Sequence, residues 1–265
     1  MFDVSFNAPT QPLAPGPVCS ATPDLQSGHM LPDKPVSPRS LKNSEVREKR
    51  FALLSEPHIY RLTKFVDDLR ERAGTKNCFG KAGLPHFDPY DGGSEAQCLF
   101  LLLAPGRHAI NDGLQHKGSG FVSRDNDDMT AENLFCATKA DEVQRRTGWR
   151  EGCRGTNFPR QETVLWNVIP WYLGTEENIE DPTSTEMEEG VACLRSLLDR
   201  RLLPNLKVVV PFGGAAQDAV KKHYPDLHRN WVVVPNRHPG QQSLNSKELW
   251  DCFVSRLCEA RGYLS

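Results

Sequence analysis

Four short apolar runs, each about the length of one strand, constrain this chain more than any other feature. They are Cys98 to Leu103, Thr163 to Ile169, Leu206 to Val210 and Trp231 to Val234. A strand that is apolar on both faces must be covered on both faces, which is the situation of a parallel sheet between helices. Helical patterns separate the runs: Thr130 to Arg146, Thr185 to Leu203, Gly213 to His223 and, last, Ser246 to Arg261. Thr130 is a candidate N-cap. Right-handed crossovers then predict a three-layer α/β/α sandwich around a central, mostly parallel four-stranded sheet. Ahead of the sheet, Ser44 to Ala73 reads as helical, with Ser44 as a cap and Ile59, Leu62, Phe65, Val66 and Leu69 at helical spacing. A loop rich in Gly and Pro follows, Gly74 to Gly93.

The first forty residues read differently. They hold eight of the chain's 20 prolines, mixed with Ser, Gly, Thr and Asn, and show no apolar periodicity. Residues 1–43 are therefore expected to be a loosely packed or disordered tail, and 44–265 the domain, with a helical part over 44–94 and a core over 95–262. The tail lacks the charged start and apolar centre of a secretory signal, and it has no arginine before Arg39, against a mitochondrial transit peptide. No apolar run approaches the roughly 20 residues that span a bilayer, so no membrane association is expected. The eight cysteines include no Cys-x-x-Cys pair and read as reduced thiols of a cytoplasmic protein. A net charge of −2 excludes a generally basic nucleic-acid coat protein but allows a local basic face.

Ligands of open α/β sheets sit beyond the carboxyl ends of the strands, so the residues after each run carry the functional signal. After the first come Ala104-Pro105-Gly106-Arg107-His108 and then Gly118-Ser119-Gly120-Phe121-Val122-Ser123-Arg124-Asp125-Asn126-Asp127. The second holds Asn167 within Leu165-Trp166-Asn167-Val168-Ile169-Pro170-Trp171. The third leads into Pro211-Phe212-Gly213-Gly214-Ala215, and the fourth into Asn236-Arg237-His238-Pro239-Gly240-Gln241-Gln242.

In order and spacing these rims resemble the uracil-DNA glycosylase superfamily over roughly residues 95 to 262. Ala104-Pro105-Gly106 looks like the first motif, Phe121 like the stacking phenylalanine, Asn167 like the base-reading asparagine, and His238-Pro239 like the late His-Pro motif. The resemblance implies hydrolysis of the uracil N-glycosidic bond in DNA by a monomer. The base would be flipped into a pocket, with no metal or cofactor, as part of base excision repair in a bacterial-type cytoplasm.

The residue types suit that chemistry. The leaving base becomes an anion, so a fixed donor from His238 over uracil O2 would supply stabilisation. The Asn167 amide offers a donor to O4 and an acceptor for N3–H, a pattern that cytosine reverses. Phe121 would give the flipped base a ring face, with Gly120 letting the backbone approach closely. Each has a bland alternative: a packing loop histidine, an asparagine capping the strand end, a core phenylalanine.

The water-activating group is the open question. The first motif has Ala104 where several branches carry Asp, Asn or Glu. Another branch also has alanine there and takes its carboxylate from just after the phenylalanine, and Asp125 resembles that arrangement; Asp127 and Asp112 compete with it. Arg107, Arg124 and Arg237 are candidates for DNA phosphates or the base, with Lys247 a further rim cation. Gln241 and Gln242 follow His-Pro; Gln242 is the candidate wedge into the gap left by the flipped nucleotide, and Leu244 is either that wedge or the lead into the last helix. Gly106 leaves the pocket without the tyrosine that some members set against thymine's methyl. The acidic stretch from Glu176 to Glu189 is expected to face away from DNA. Cys136 and Cys153 are spaced suggestively, but without a close pair no iron–sulfur cluster is expected.

Rival readings remain. One is a broader glycosylase for hypoxanthine, xanthine or 5-substituted uracil. Another is a non-catalytic binder of uracil or abasic DNA. The Gly213-Gly214 turn suggests a nucleotide-binding enzyme, although it lacks the Lys-Ser/Thr of a P-loop.

Overall fold

In a computed structural model, the structure describes residues 37–73, 84–111, 118–139, 155–174, 180–199 and 202–264. Its centre is a parallel sheet of four strands: β2 (Cys98–Leu102), β4 (Thr163–Asn167), β5 (Val208–Pro211) and β6 (Val232–Val233), in the order β4-β2-β5-β6. The register runs Leu102 to Asn167 on one side of β2 and Leu101 to Pro211 on the other. A two-stranded parallel pair, β1 (His86–Phe87) and β3 (Phe121–Val122), lies apart from it.

Alternation along the strands sends neighbouring side chains to opposite faces. Trp166 stacks on Phe87 (3.9 Å between centroids, 9° between planes) and meets Phe65 of helix α2 (Pro57–Ala73). On the opposite row, Phe100 meets Phe212, which in turn meets Phe253 of helix α7 (Lys247–Gly262). Helices thus cover both faces, as the three-layer sandwich requires. All five apolar positions read at helical spacing in α2 are buried.

Local chemistry fixes the helix starts. Asn43, not Ser44, caps α1 (Ser44–Phe51): its side chain accepts from the Glu45 N–H, and α1 stops before α2 begins. Asp128, not Thr130, caps α3 (Met129–Thr138) through the Ala131 N–H. The part of the expected third helix beyond Lys139 lies outside the described residues. The remaining helices are α4 (Ser184–Asp199), α5 (Gly214–His223) and the short α6 (Leu227–Asn230).

The boundary read at Ser44 falls inside packed structure. Leu41 is buried and its N–H donates to the Asp125 carbonyl. Arg39 pairs with Glu132 (2.6 Å) and Asp127 (3.2 Å). No helix among the described residues is long and apolar enough to cross a membrane.

Candidate active site

The central strand β2 has β4 on one side and β5 on the other, so the chain reverses direction across the sheet at β2. The crevice that such a reversal opens beyond the strand ends is the expected ligand position. A cavity of about 900 Å³ lies there, walled by Leu102 to Ala109 after β2, Asn167 at the end of β4, and Phe212 to Ala215 after β5. Val122, Ser123 and Asn126 close it from the β3 side, and His238 enters from the last loop.

Asn167 is the last residue of β4, and the Val168 N–H donates to the Leu102 carbonyl, so the strand pairing holds its backbone to β2. It is 1 % exposed, yet neither Oδ1 nor Nδ2 has a hydrogen-bond partner among the described residues. A buried amide left open on both atoms costs several kcal/mol unless something fills it, at about 1–3 kcal/mol per group. Its place in a cavity wall makes it available to a ligand.

The last loop is built around His238. Asn236 bridges to Phe212, extending the β5–β6 pairing, and the Gly213 N–H donates to the Asn236 carbonyl (2.9 Å). Asn133 of α3 donates from Nδ2 to the Pro239 carbonyl (2.5 Å). The Gly240 N–H donates to His238 Nδ1 (3.0 Å). An accepting Nδ1 carries no proton, so the neutral ring presents Nε2–H as its donor. The side chain is solvent-accessible, but the concave wall withholds enough water to lower its pKa, against the opposing pull of Asp128. Two glycines make room for the ring: a Cβ on Gly240 would stand 2.7 Å from Nδ1, and one on Gly213, where φ is +82°, 3.0 Å from the histidine Cβ.

Other expected site residues lie elsewhere. Phe121 turns away from the cavity: it packs on Phe51 (4.5 Å between centroids), and its strand neighbour Val122 faces the cavity. Gly120, at φ +80°, serves that packing, because a Cβ there would meet the Phe51 ring at 2.6 Å.

Asp125 is fully buried and does not line the cavity. It is bound by Arg50 Nη2 (3.0 Å) and by Arg160 Nη1, which reaches both its oxygens at 2.9 Å. Arg124 points the same way, to Thr138, Thr163 and Asp91, and is 2 % exposed, so no DNA phosphate reaches it. The set is completed by Asp88, which takes Arg50 and Arg160 at 2.6 Å and Ser123 Oγ, and by Asp91, 2.8 Å from Arg160 Nε.

Burial pushes Asp91 up to about 6, whereas Arg50 and Arg160 overcome the same burial at Asp88 and hold it well below the usual carboxylate range. Burial also opposes the charge on Arg160, but Asp125, Asp88 and Asp91 raise its pKa.

Leu244 is fully buried and belongs to the core, not to a wedge. Gln241, Gln242, Arg107, Arg237 and Lys247 are exposed, with Lys247 on Asp251 at 2.6 Å. Asp127 is half-exposed on Arg39 and does not line the cavity, and Asp112 lies outside the described residues. Cys136 is a buried thiol of α3, and Cys153 lies outside the described residues. Among the described residues no group of three His, Cys, Asp or Glu side chains is placed to hold a metal.

Sequence reasoning missed Asp128 and Asn126 as wall residues, and it placed Glu180 and Asp181 away from DNA although both line the cavity. The Asp-x-x-Ala spacing of an N-cap was the available signal for Asp128.

Comparison with known families settles the membership. The model of the uracil DNA glycosylase superfamily matches residues 89–259, well over half of the chain. The protein belongs to the uracil DNA glycosylase superfamily. No curated protein matches it in a sequence search. Within the superfamily domain, Ala104-Pro105-Gly106, Asn167 and His238 are brought to one cavity, while Phe121 and Asp125 are not. Superfamily membership supports glycosylase-type chemistry on DNA.

Proposed function

We propose that the protein excises uracil from DNA by hydrolysing the N-glycosidic bond and leaving an abasic site. The observation that carries this reading is the buried Asn167 amide, open on both atoms in the cavity wall. A uracil flipped out of the stack would take O4 to Nδ2 and N3–H to Oδ1. Cytosine would set donor against donor and acceptor against acceptor, leaving both buried amide atoms unmet.

As the C1′–N1 bond breaks, its electron pair stays with the base and charge gathers on O2. His238 Nε2–H is the fixed donor suited to that atom, and the leucines and Ala104 of the wall keep the local dielectric low. Exposed Arg107 and Arg237 are suited to phosphates, and Gln242 to the space left in the duplex. On this reading the protein acts as a monomer in the cytoplasm.

A broader substrate range has one observation in its favour. Among the described residues nothing stands within 4 Å of where a Cβ of Gly106 would lie, which would leave room beside a bound base. The test is a panel of oligonucleotides carrying U, T, hypoxanthine or xanthine, treated with alkali after incubation to cut abasic sites. Uracil cleavage is expected; absence of cleavage on every base would leave a binding protein.

A further inference from the structure

We infer that Asn126 holds the attacking water, in the role for which Asp125 was the candidate by sequence. The inference rests on the proposed glycosylase reaction and names the group that serves its nucleophile. Asn126 is 4 % exposed and lines the cavity. Its Nδ2 donates to the Phe121 carbonyl at 2.9 Å, which fixes the amide's orientation. Its Oδ1 is buried without a hydrogen-bond partner among the described residues. One amide atom is therefore committed to the fold, and the other is a buried acceptor with no hydrogen bond among the described residues.

A fixed acceptor takes a donor. Uracil has only one N–H donor once it is attached to the sugar, and Asn167 offers an acceptor for it. Water is the other donor that the reaction brings to the cavity.

Of the polar groups beside Asn126, Ser123 is engaged and Asp128 is engaged through one oxygen. Ser123 Oγ donates to Asp88 and accepts from the Asp125 N–H, and one carboxylate oxygen of Asp128 caps α3. Ala104 supplies no polar side chain at the first motif.

An amide cannot take a proton from water at neutral pH, and the reaction does not require it to. The C1′–N1 electron pair leaves with the base, giving an oxocarbenium-like sugar and a uracil anion. Water oxygen, held by one of its protons on Asn126 Oδ1, bonds to C1′. The proton it then loses passes through solvent to the uracil anion. The sum is one water consumed, one abasic sugar and one neutral uracil formed.

The test is single-turnover excision of uracil by Asn126→Ala, in water and in water–methanol mixtures, beside wild type and Asn167→Ala. The truncation is structurally mild, because the Phe121 carbonyl keeps a second donor in Ser119 Oγ (3.1 Å). Excision should fall by about tenfold, the worth of one hydrogen bond at a reacting atom. The fraction of sugar trapped as the methyl glycoside should rise, because the slot no longer selects water. Binding of a non-cleavable 2′-fluoro-uracil duplex should be unchanged in Asn126→Ala and weakened in Asn167→Ala. A wild-type rate, or a lower rate with an unchanged methanol fraction, overturns the role of Asn126 while leaving the uracil reading intact. If wild type excises no base at all, both fall together.

Discussion

Two polar regions lie side by side in this protein and are built on opposite rules. In the ionic cluster of Arg50, Arg124, Arg160, Asp88, Asp91 and Asp125, each side chain faces an opposite charge at 2.6 to 3.6 Å. In the cavity wall, among the described residues, Asn167 has neither amide atom paired and Asn126 has only one. Both regions are buried, so the difference is not one of solvent access. The cluster is compensated by opposite charge even where a hydrogen bond is missing, as at Asp91 and the Nε atoms of Arg50, Arg124 and Arg160, whereas the neutral amides of the wall have no such compensation. Ser123 stands between the two: it lines the cavity but spends its hydroxyl in the cluster.

Substitutions on the two sides should fail in different ways. The largest effect belongs to the cavity. His238→Ala should lower single-turnover uracil excision by on the order of 10²- to 10³-fold, the usual cost of one donor at a developing oxyanion, with an unchanged melting temperature.

On the cluster side, Asp125→Ala leaves three guanidiniums against two carboxylates. It should cost about 3–5 kcal/mol and lower the melting temperature by roughly 10 °C. The surviving folded protein should excise within a few-fold of wild type at low temperature. A large rate loss without destabilisation would move Asp125 back into the chemistry.

Gly240→Ala tests the middle ground, since its Cβ would press on His238 Nδ1. Expected are a rate loss of about tenfold and little loss of stability, read by paired kinetics and thermal melts. The pH profile gives the smallest effect. Desolvation lowers the His238 pKa below 6.5, so the neutral ring persists above that value. Excision should be flat from neutral pH down to about 6.5, the ordinary histidine value, and decline only below it, as protonation of Nδ1 displaces the Gly240 N–H. A decline that begins above pH 6.5 would place the ring in a different environment.

The sheet, its order of strands and helices, and the Asn167 and His238 positions were legible because each depends on local sequence. Apolar runs report burial, and the residue at a strand's carboxyl end reports the crevice. The side on which a residue falls was less legible. Phe121 and Val122 differ by one position in a two-residue strand, and the pairing with His86 and Phe87 decides which faces the cavity. The same limit hid the places of Asp125 in the ionic cluster and of Asn126 in the cavity wall. The partners that withdraw Asp125 from the cavity, Arg50 and Arg160, are 75 and 35 residues away in sequence. No local pattern announces an ion pair of that span. Leu244 was misplaced for a related reason: its burial is set by the fold around the turn that carries it.

The inward turn of Arg124 also bears on how the protein would travel along DNA. A cation locked among buried aspartates displaces no counterions from the duplex, so it adds nothing to the salt dependence of binding. Each phosphate that the protein leaves unneutralised makes the logarithmic salt slope shallower by about 0.9. With the guanidiniums of Arg50, Arg124 and Arg160 spent on internal pairing, the molecule would hold undamaged DNA loosely and would owe more of its grip to the base in the cavity.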